Sequence, residues 1–258
     1  MPEFEFVTTR QRDRIYEVTI NHPPVNALNR QTYDELRVAF AELATMTSVN
    51  VVIISGAGRG FCPGADINDV LHDVTEEARR TKFAIVDEMV ENLVRIPVPV
   101  IARMHGFCLA AGMRVASYCD IRVASEETIF GMPEVDRGLT AGSGGSLRRL
   151  NLPAGLVREM IFTGARFSAR QMLEAGFLQR AVPRTELESV TESLAGVIAA
   201  KERTSLVAIK RSAALDLQYV DAREAEQVIH DLSAEGEVPR ETTEGARRFL
   251  EKRAQATA

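Results

Sequence analysis

The sequence predicts an α/β fold with a mostly parallel sheet, followed by a helical C-terminal region. Three observations carry that prediction. Short continuous apolar runs at 51–55, 99–104 and 121–124 have the uninterrupted hydrophobicity of strands buried on both faces. Helical patterns at roughly 76–95 and 110–117 alternate with them, and strand–loop–helix repeats imply right-handed crossovers between parallel strands. After about residue 150 helical periodicity dominates, over 153–163, 168–175, 187–200, 205–217, 222–233 and 242–254.

The elements follow in order. Residues 4–10 and 14–20 alternate apolar and polar side chains, as in Ile15-Tyr16-Glu17-Val18-Thr19-Ile20, and read as paired strands. His22-Pro23-Pro24-Val25-Asn26-Ala27-Leu28-Asn29 is a rigid loop. Asn29 is a suitable N-cap for a helix of about 31–46, with Tyr33, Leu36, Phe40 and Leu43 on one face. The strand 51–55 ends in a loop, Gly56-Ala57-Gly58-Arg59-Gly60, and the helix at 76–95 stops before Pro97. Gly106 opens the small-residue helix Ala110 to Ser117. The sequence shows no linker, low-complexity tract or short repeat.

Composition excludes several function classes. The 258 residues carry 31 Lys plus Arg against 36 Asp plus Glu, a net charge of −5, with 45% hydrophobic and 26% charged residues. These are ordinary globular values. The acidic balance opposes nucleic-acid binding, which needs clustered excess positive charge. Among the basic residues, Lys82, Lys201, Lys210 and Lys252 are the only lysines, and the rest are arginines. No apolar run is long enough for a membrane span, and the first residues do not resemble a signal peptide. Cys62, Cys108 and Cys119 lack C-x-x-C spacing and read as free thiols in a reducing, cytoplasmic setting. His22, His72 and His230 have no metal-ligand spacing, and no metal is expected. His105 reads as a hydrogen-bonded structural residue.

Three segments concentrate chemistry. Arg59-Gly60-Phe61-Cys62-Pro63-Gly64-Ala65-Asp66-Ile67 and His105-Gly106-Phe107-Cys108-Leu109-Ala110-Ala111-Gly112 each follow a buried strand. Ligands in α/β folds bind beyond the carboxyl ends of strands. Small residues there let a ligand approach the backbone, and two such loops side by side could aim two N–H donors at one oxygen. The third segment, Phe130-Gly131-Met132-Pro133-Glu134-Val135-Asp136-Arg137-Gly138, places Glu134 between apolar neighbours, before a glycine-rich stretch containing Gly142. A carboxyl group in such surroundings has a raised pKa and suits acid/base work.

These segments, in this order, resemble the crotonase or enoyl-CoA hydratase/isomerase superfamily. N-A-L-N is followed by G-x-x-F-C-x-G-A-D-I, H-G-F-x-x-x-x-G, C-D-I-R, P-E and G-x-G-G-S-x-R-L. Thr163-Gly164, Ala175-Gly176-Phe177 and a C-terminal Glu244-Gly245 with Phe249-Leu250-Glu251-Lys252-Arg253 extend the likeness to nearly the whole chain. The resemblance implies a spiral of ββα/βαβ repeats over 1–195 and a helical trimerisation region over 196–258, giving a homotrimer or dimer of trimers. It also implies an acyl-CoA thioester substrate, with coenzyme A as part of the substrate and no separate cofactor. The Ala65 and Ala111 N–H groups would hold the thioester oxygen, each worth roughly 3–4 kcal/mol. Val25, Ala27, Asp66 and Ile67 would border the adenine, and Arg59 the phosphates. Phe249 and Lys252 would reach a neighbouring subunit's CoA, unless they serve in helix packing and as a solvated charge.

The chain departs from the family at one decisive place. Hydratases have a second glutamate after the glycine-rich turn, where this chain has Arg114. A single carboxylate, Glu134, suits proton shuttling in double-bond isomerisation or specialised chemistry. The alternatives are a conventional hydratase, a decarboxylase or C–C hydrolase on a carboxylated acyl-CoA, or a non-catalytic family member. Arg114 could point away from the pocket and pair with surface acids, pair with Glu134 or Asp136, or bind a substrate carboxylate. Asp136 lies two residues beyond Glu134, on the same side if the segment is extended, and is a candidate second acid, with a structural cap or salt bridge as the favoured alternative. Val70, Leu71, Val74 and Phe83 suggest an apolar pocket wall.

Overall fold

A computed structural model describes residues 3–72, 75–140 and 150–216, together with Arg247 and Glu251. The expected helices at 222–233 and 242–254 lie almost wholly outside the described residues.

The larger sheet has six strands in the order β1 (Val7–Arg12), β2 (Ile15–Ile20), β3 (Val51–Gly56), β4 (Val100–Met104), β6 (Ile121–Ser125), β9 (Arg180–Val182). Apart from the antiparallel β1–β2 pair, its neighbours are parallel. A smaller sheet joins β5 (Phe107–Leu109), β7 (Ile129–Gly131) and β8 (Arg166–Ser168). The chain visits the two sheets in turn: β4 then β5, β6 then β7, β8 then β9. That alternation is the expected spiral.

The first strand begins later than its alternation suggests. The Glu5 and Phe6 N–H groups donate to the Glu35 carboxylate at 3.1 and 2.7 Å, so the β1 ladder starts at Val7 opposite Ile20.

Helix α1 (Arg30–Thr45) is capped by Asn29, whose side chain accepts from the Thr32 N–H. The next helix is α2 (Ile67–His72). In α3 (Glu76–Arg95) the Thr75 hydroxyl accepts from the Ala78 N–H, acids fill the first turn and Arg95 the last, the arrangement the helix dipole favours. Helices α1 and α3 cover one sheet face, where Leu36, Phe40, Val52, Ile54, Leu93 and Ala102 are sealed from solvent. On the opposite face Val51, Ile53, Ile101 and Val123 pack against Leu187 and Ala195 of α7 (Leu187–Ala199). Burial on both faces explains why β3, β4 and β6 read as unbroken apolar runs.

Polar contacts tie the remaining helices down. Helix α4 (Ala111–Ser117) ends over Arg122, a buried guanidinium. Its Nε donates to the Phe177 carbonyl at 2.6 Å, and Nη1 to the Cys119 and Ala116 carbonyls at 2.7 and 3.3 Å. Carbonyls at and beyond a helix end thus gain a donor. Helices α5 (Ala154–Thr163) and α6 (Ala169–Glu174) follow. Helix α8 (Arg203–Asp216) is anchored by Lys210, whose Nζ donates to the Val98 carbonyl and to Asp120 at 2.9 and 2.8 Å. Arg203 donates to the carbonyls of Val49 and Met46 at 3.1 and 2.7 Å.

Candidate active site

The two glycine-bearing loops lie side by side. The Phe61 and Cys62 N–H groups donate to the Phe107 carbonyl at 3.0 and 3.2 Å, and Leu109 returns a bond to the Cys62 carbonyl at 2.9 Å. Gly112 lets α4 seat directly on this strip, since a β-carbon there would stand 2.5 Å from the Cys62 carbonyl oxygen. Gly64 has φ +119° and faces the second loop: a β-carbon on it would lie 3.6 Å from the Ala111 nitrogen.

Ala65 and Ala111 are therefore neighbours. Leu28 donates to the Gly64 carbonyl and accepts from the Asp66 N–H, both at 2.9 Å. These bonds straddle Ala65 in a parallel bridge, so the Ala65 N–H turns away from Leu28. Ala111 opens α4, and the first N–H of a helix has no acceptor within the helix.

Strand β7 delivers Glu134 to the same place. Its Gly131 carbonyl accepts the Ala110 N–H at 2.9 Å, and three residues later Glu134 lies in a 3-10 turn, Pro133–Arg137. Glu134 Oε2 is sealed from solvent and meets no hydrogen-bond partner among the described residues. Burial pushes the carboxyl up to about 7; a bond from its own peptide and the charges of Arg137 and Arg166 oppose the rise.

The turn favours the structural of the two readings of Asp136. At three residues per turn, positions two apart do not share a side. Asp136 is exposed, lies 3.9 Å from Arg166 and packs against Gly164, so its carboxylate serves the β8 corner rather than a proton pathway beside Glu134.

Arg114 meets the first of the three readings in part, because it pairs with an acid. Its side chain is 15% exposed and lies 3.4 Å from Asp87 of α3. Asp87 carried no sequence signal, because a carboxylate on an amphipathic helix reads as surface.

The loop expected to border a nucleotide is fixed by Asn26, which is 3% exposed. Its side-chain amide donates to the Ala57 and Gly60 carbonyls at 2.7 and 2.8 Å, and its Oδ1 accepts from the His22 N–H at 2.9 Å. Val25 and Ala27 thereby lie against the β3 exit, whose Arg59 is exposed. Asp66 caps α2 by accepting from the Asn68 N–H at 2.9 Å, with Ile67 as the first helical residue. His105 is structural: Nε2 lies 2.9 Å from the Gly58 carbonyl, and burial lowers its pKa. The three cysteines are free and buried. Gly142, Phe249 and Lys252 lie outside the described residues, as do the side chains of Val70, Leu71 and Val74. No metal-binding cluster and no helix able to cross a membrane occurs among the described residues.

The enoyl-CoA hydratase/isomerase family model matches residues 10–256. The chain is 34% identical over 259 residues to the short-chain-enoyl-CoA hydratase of Clostridium acetobutylicum, covering 97% of each. It is 33% identical over 222 residues to the (7aS)-7a-methyl-1,5-dioxo-2,3,5,6,7,7a-hexahydro-1H-indene-carboxyl-CoA hydrolase of Mycobacterium tuberculosis, covering 83% of this chain and 87% of the relative. Its structure matches an enoyl-CoA hydratase/isomerase from Xanthobacter autotrophicus Py2 with a TM-score of 0.87 at 25% identity, over 98% and 97% of the two chains. The ordered motifs, the two-sheet spiral and these likenesses lead to one conclusion: the chain belongs to the enoyl-CoA hydratase/isomerase family and is an enzyme of the crotonase superfamily.

Proposed function

We propose that this enzyme binds an acyl-CoA thioester with its carbonyl oxygen between the N–H groups of Ala65 and Ala111, and that Glu134 is its acid/base. The observation that carries the reading is Glu134 itself: a carboxyl with a buried, unpaired oxygen and a pKa of about 7. A base poised near the working pH transfers protons in either direction. Proton removal beside the thioester generates an enolate, and the two N–H donors stabilise its oxygen. Val25, Ala27, Asp66 and Ile67 border the nucleotide in this reading, Arg59 serves the phosphates, and Phe249 and Lys252 extend the CoA site.

Arg114 in place of a second glutamate favours proton shuttling by one carboxylate, as in double-bond isomerisation, over addition of water. A second reading, hydrolysis of a carboxylated or cyclic acyl-CoA, gains support from the similarity to the M. tuberculosis carboxyl-CoA hydrolase. The test is Glu134→Gln assayed on enoyl-CoA esters. Turnover is expected to fall at least a thousandfold while ester binding stays within a few fold; unchanged turnover removes Glu134 from the mechanism. Following loss of the enoyl chromophore against migration of the double bond separates hydration from isomerisation.

A further inference from the structure

The segment between β2 and α1 is built around one side chain. Asn26 has φ +62°, a left-handed conformation that asparagine tolerates better than most residues, and its side chain is buried. Its own N–H donates to the His22 carbonyl at 2.7 Å, and its Oδ1 takes the His22 N–H. His22 closes the loop from the other side, where the Ala27 carbonyl accepts from its Nδ1 at 2.6 Å. The segment thus holds its own shape. Both N–H bonds of the Asn26 carboxamide are used elsewhere, on the carbonyls of Ala57 and Gly60.

Those two carbonyls bracket a turn at Gly58 and Arg59. The turn is gripped from several sides. The Ala57 N–H donates to the Ile20 carbonyl at 2.8 Å, and the Gly58 carbonyl accepts from His105 Nε2. Gly60 lies against the Phe107 ring, 2.7 Å from which a β-carbon would stand. The outward side is open: a β-carbon on Gly58 would meet nothing within 4 Å. Arg59 is exposed there, and no ion pair among the described residues occupies its guanidinium. A carboxamide offers two donors and an acceptor, and asparagine is the shortest side chain that carries one. All three functions are matched here.

We propose that Asn26 is a positioning residue for the nucleotide end of the substrate: by clamping the turn at 58–59 it presents the Arg59 guanidinium to a phosphate group. The inference rests on the acyl-CoA reading above, in which Arg59 serves the phosphates, and adds the residue that holds Arg59 in place. Asn26 itself touches no substrate. A long arginine side chain loses rotamer freedom when it grips an anion. Fixing its backbone beforehand lowers the remaining cost of binding, so the charge-assisted contact counts more fully toward affinity.

The test measures binding of crotonyl-CoA and of crotonyl-pantetheine, which lacks the nucleotide and its phosphates, by calorimetry. The wild-type protein is expected to bind crotonyl-CoA at least about tenfold more tightly. Asn26→Asp suits the same backbone and keeps the acceptor, but sets a carboxylate against two carbonyl oxygens. It is expected to cut the preference at least about fivefold, as is Arg59→Ala, with crotonyl-pantetheine bound within about twofold of wild type. The double variant is expected to show no larger loss than the weaker-binding single variant, because both changes act on one contact. A purely structural role for Asn26 gives a different result: both esters weaken alike, and the loss adds to that of Arg59→Ala. Either outcome overturns the inference. If Asn26→Asp does not fold, Asn26→Gly, which suits a positive φ, decides by the same ratio. A wild-type protein without preference for crotonyl-CoA, or an unchanged ratio in the Asn26 variant, overturns the inference and leaves the acyl-CoA reading intact. Failure of both esters to bind overturns both.

Discussion

A β-carbon on Gly64 would stand 2.7 Å from the methyl carbon of Ala110. Two carbons cannot approach so closely, so the pairing of the loops depends on what Gly64 lacks. Ala110 itself carries strain, with φ +48° and ψ −119°. Gly64→Ala is expected to cost about 2–4 kcal/mol, from the clash and from φ +119°, and to reduce turnover at least a hundredfold. Ala110→Gly relieves about 1 kcal/mol of strain and also removes the clashing methyl. In a double-mutant cycle by urea denaturation, Ala110→Gly should therefore recover at least about 1 kcal/mol of the Gly64→Ala loss. Additive effects would show that the loops move apart freely.

Glu134 should leave a mark on stability as well as on rate. Its folded pKa of about 7 lies above the usual carboxyl value. Between roughly pH 4.5 and 7 the native state keeps a proton that the unfolded chain releases, so stability falls as pH rises through that window. The full effect is at most about 3 kcal/mol. Glu134→Gln is expected to be more stable than the wild-type protein at pH 8 and little different at pH 4.5, as measured by denaturant midpoints. The wild-type pH–rate profile should rise through an apparent pKa near 7.

The Arg114–Asp87 contact predicts how a second carboxylate would be received. Arg114→Glu sets two acids face to face at a partly buried site, and is expected to destabilise the protein by about 1–3 kcal/mol. Adding Asp87→Asn removes the repulsion and should restore most of that loss. If absence of a second carboxylate limits hydration, the double variant gains hydration of crotonyl-CoA over the wild-type protein, followed by loss of the enoyl absorbance.

Arg122 supports α4 from below. Arg122→Met removes the guanidinium donor from the carbonyls of Cys119 and Phe177 and the longer bond to Ala116, whose carbonyl keeps the Cys119 N–H, at an expected cost of about 3 kcal/mol. Thermal unfolding monitored by circular dichroism measures it.

The long elements were legible because their signals repeat. Asn29 fixes the start of α1, Pro97 the end of α3, and strands buried on both faces spell continuous apolar runs. The smaller sheet was not legible: β5, β7 and β8 have three residues each, too few for any period to register. At the site, motif order marked Ala65, Ala111 and Glu134 for scrutiny. Asp136 kept two readings in the sequence because a 3-10 turn and an extended segment place position i+2 differently, and proline at the start of Pro133–Arg137 permits either. Asp87 sits on a helix face whose neighbours depend on how α3 and α4 cross, which is a tertiary fact.

The two hydrogen bonds from Leu28 that straddle Ala65 have a mechanical consequence. The peptide after Ala27 and the peptides on either side of Ala65 form one rigid unit, so the loop proposed to border the nucleotide cannot shift without carrying the Ala65 N–H, the proposed oxyanion donor, with it. In the proposed reading, grip on the distant handle of the substrate is thereby converted into alignment at the reacting carbonyl. A thioester trimmed to its pantetheine arm should then lose turnover number, and not merely affinity.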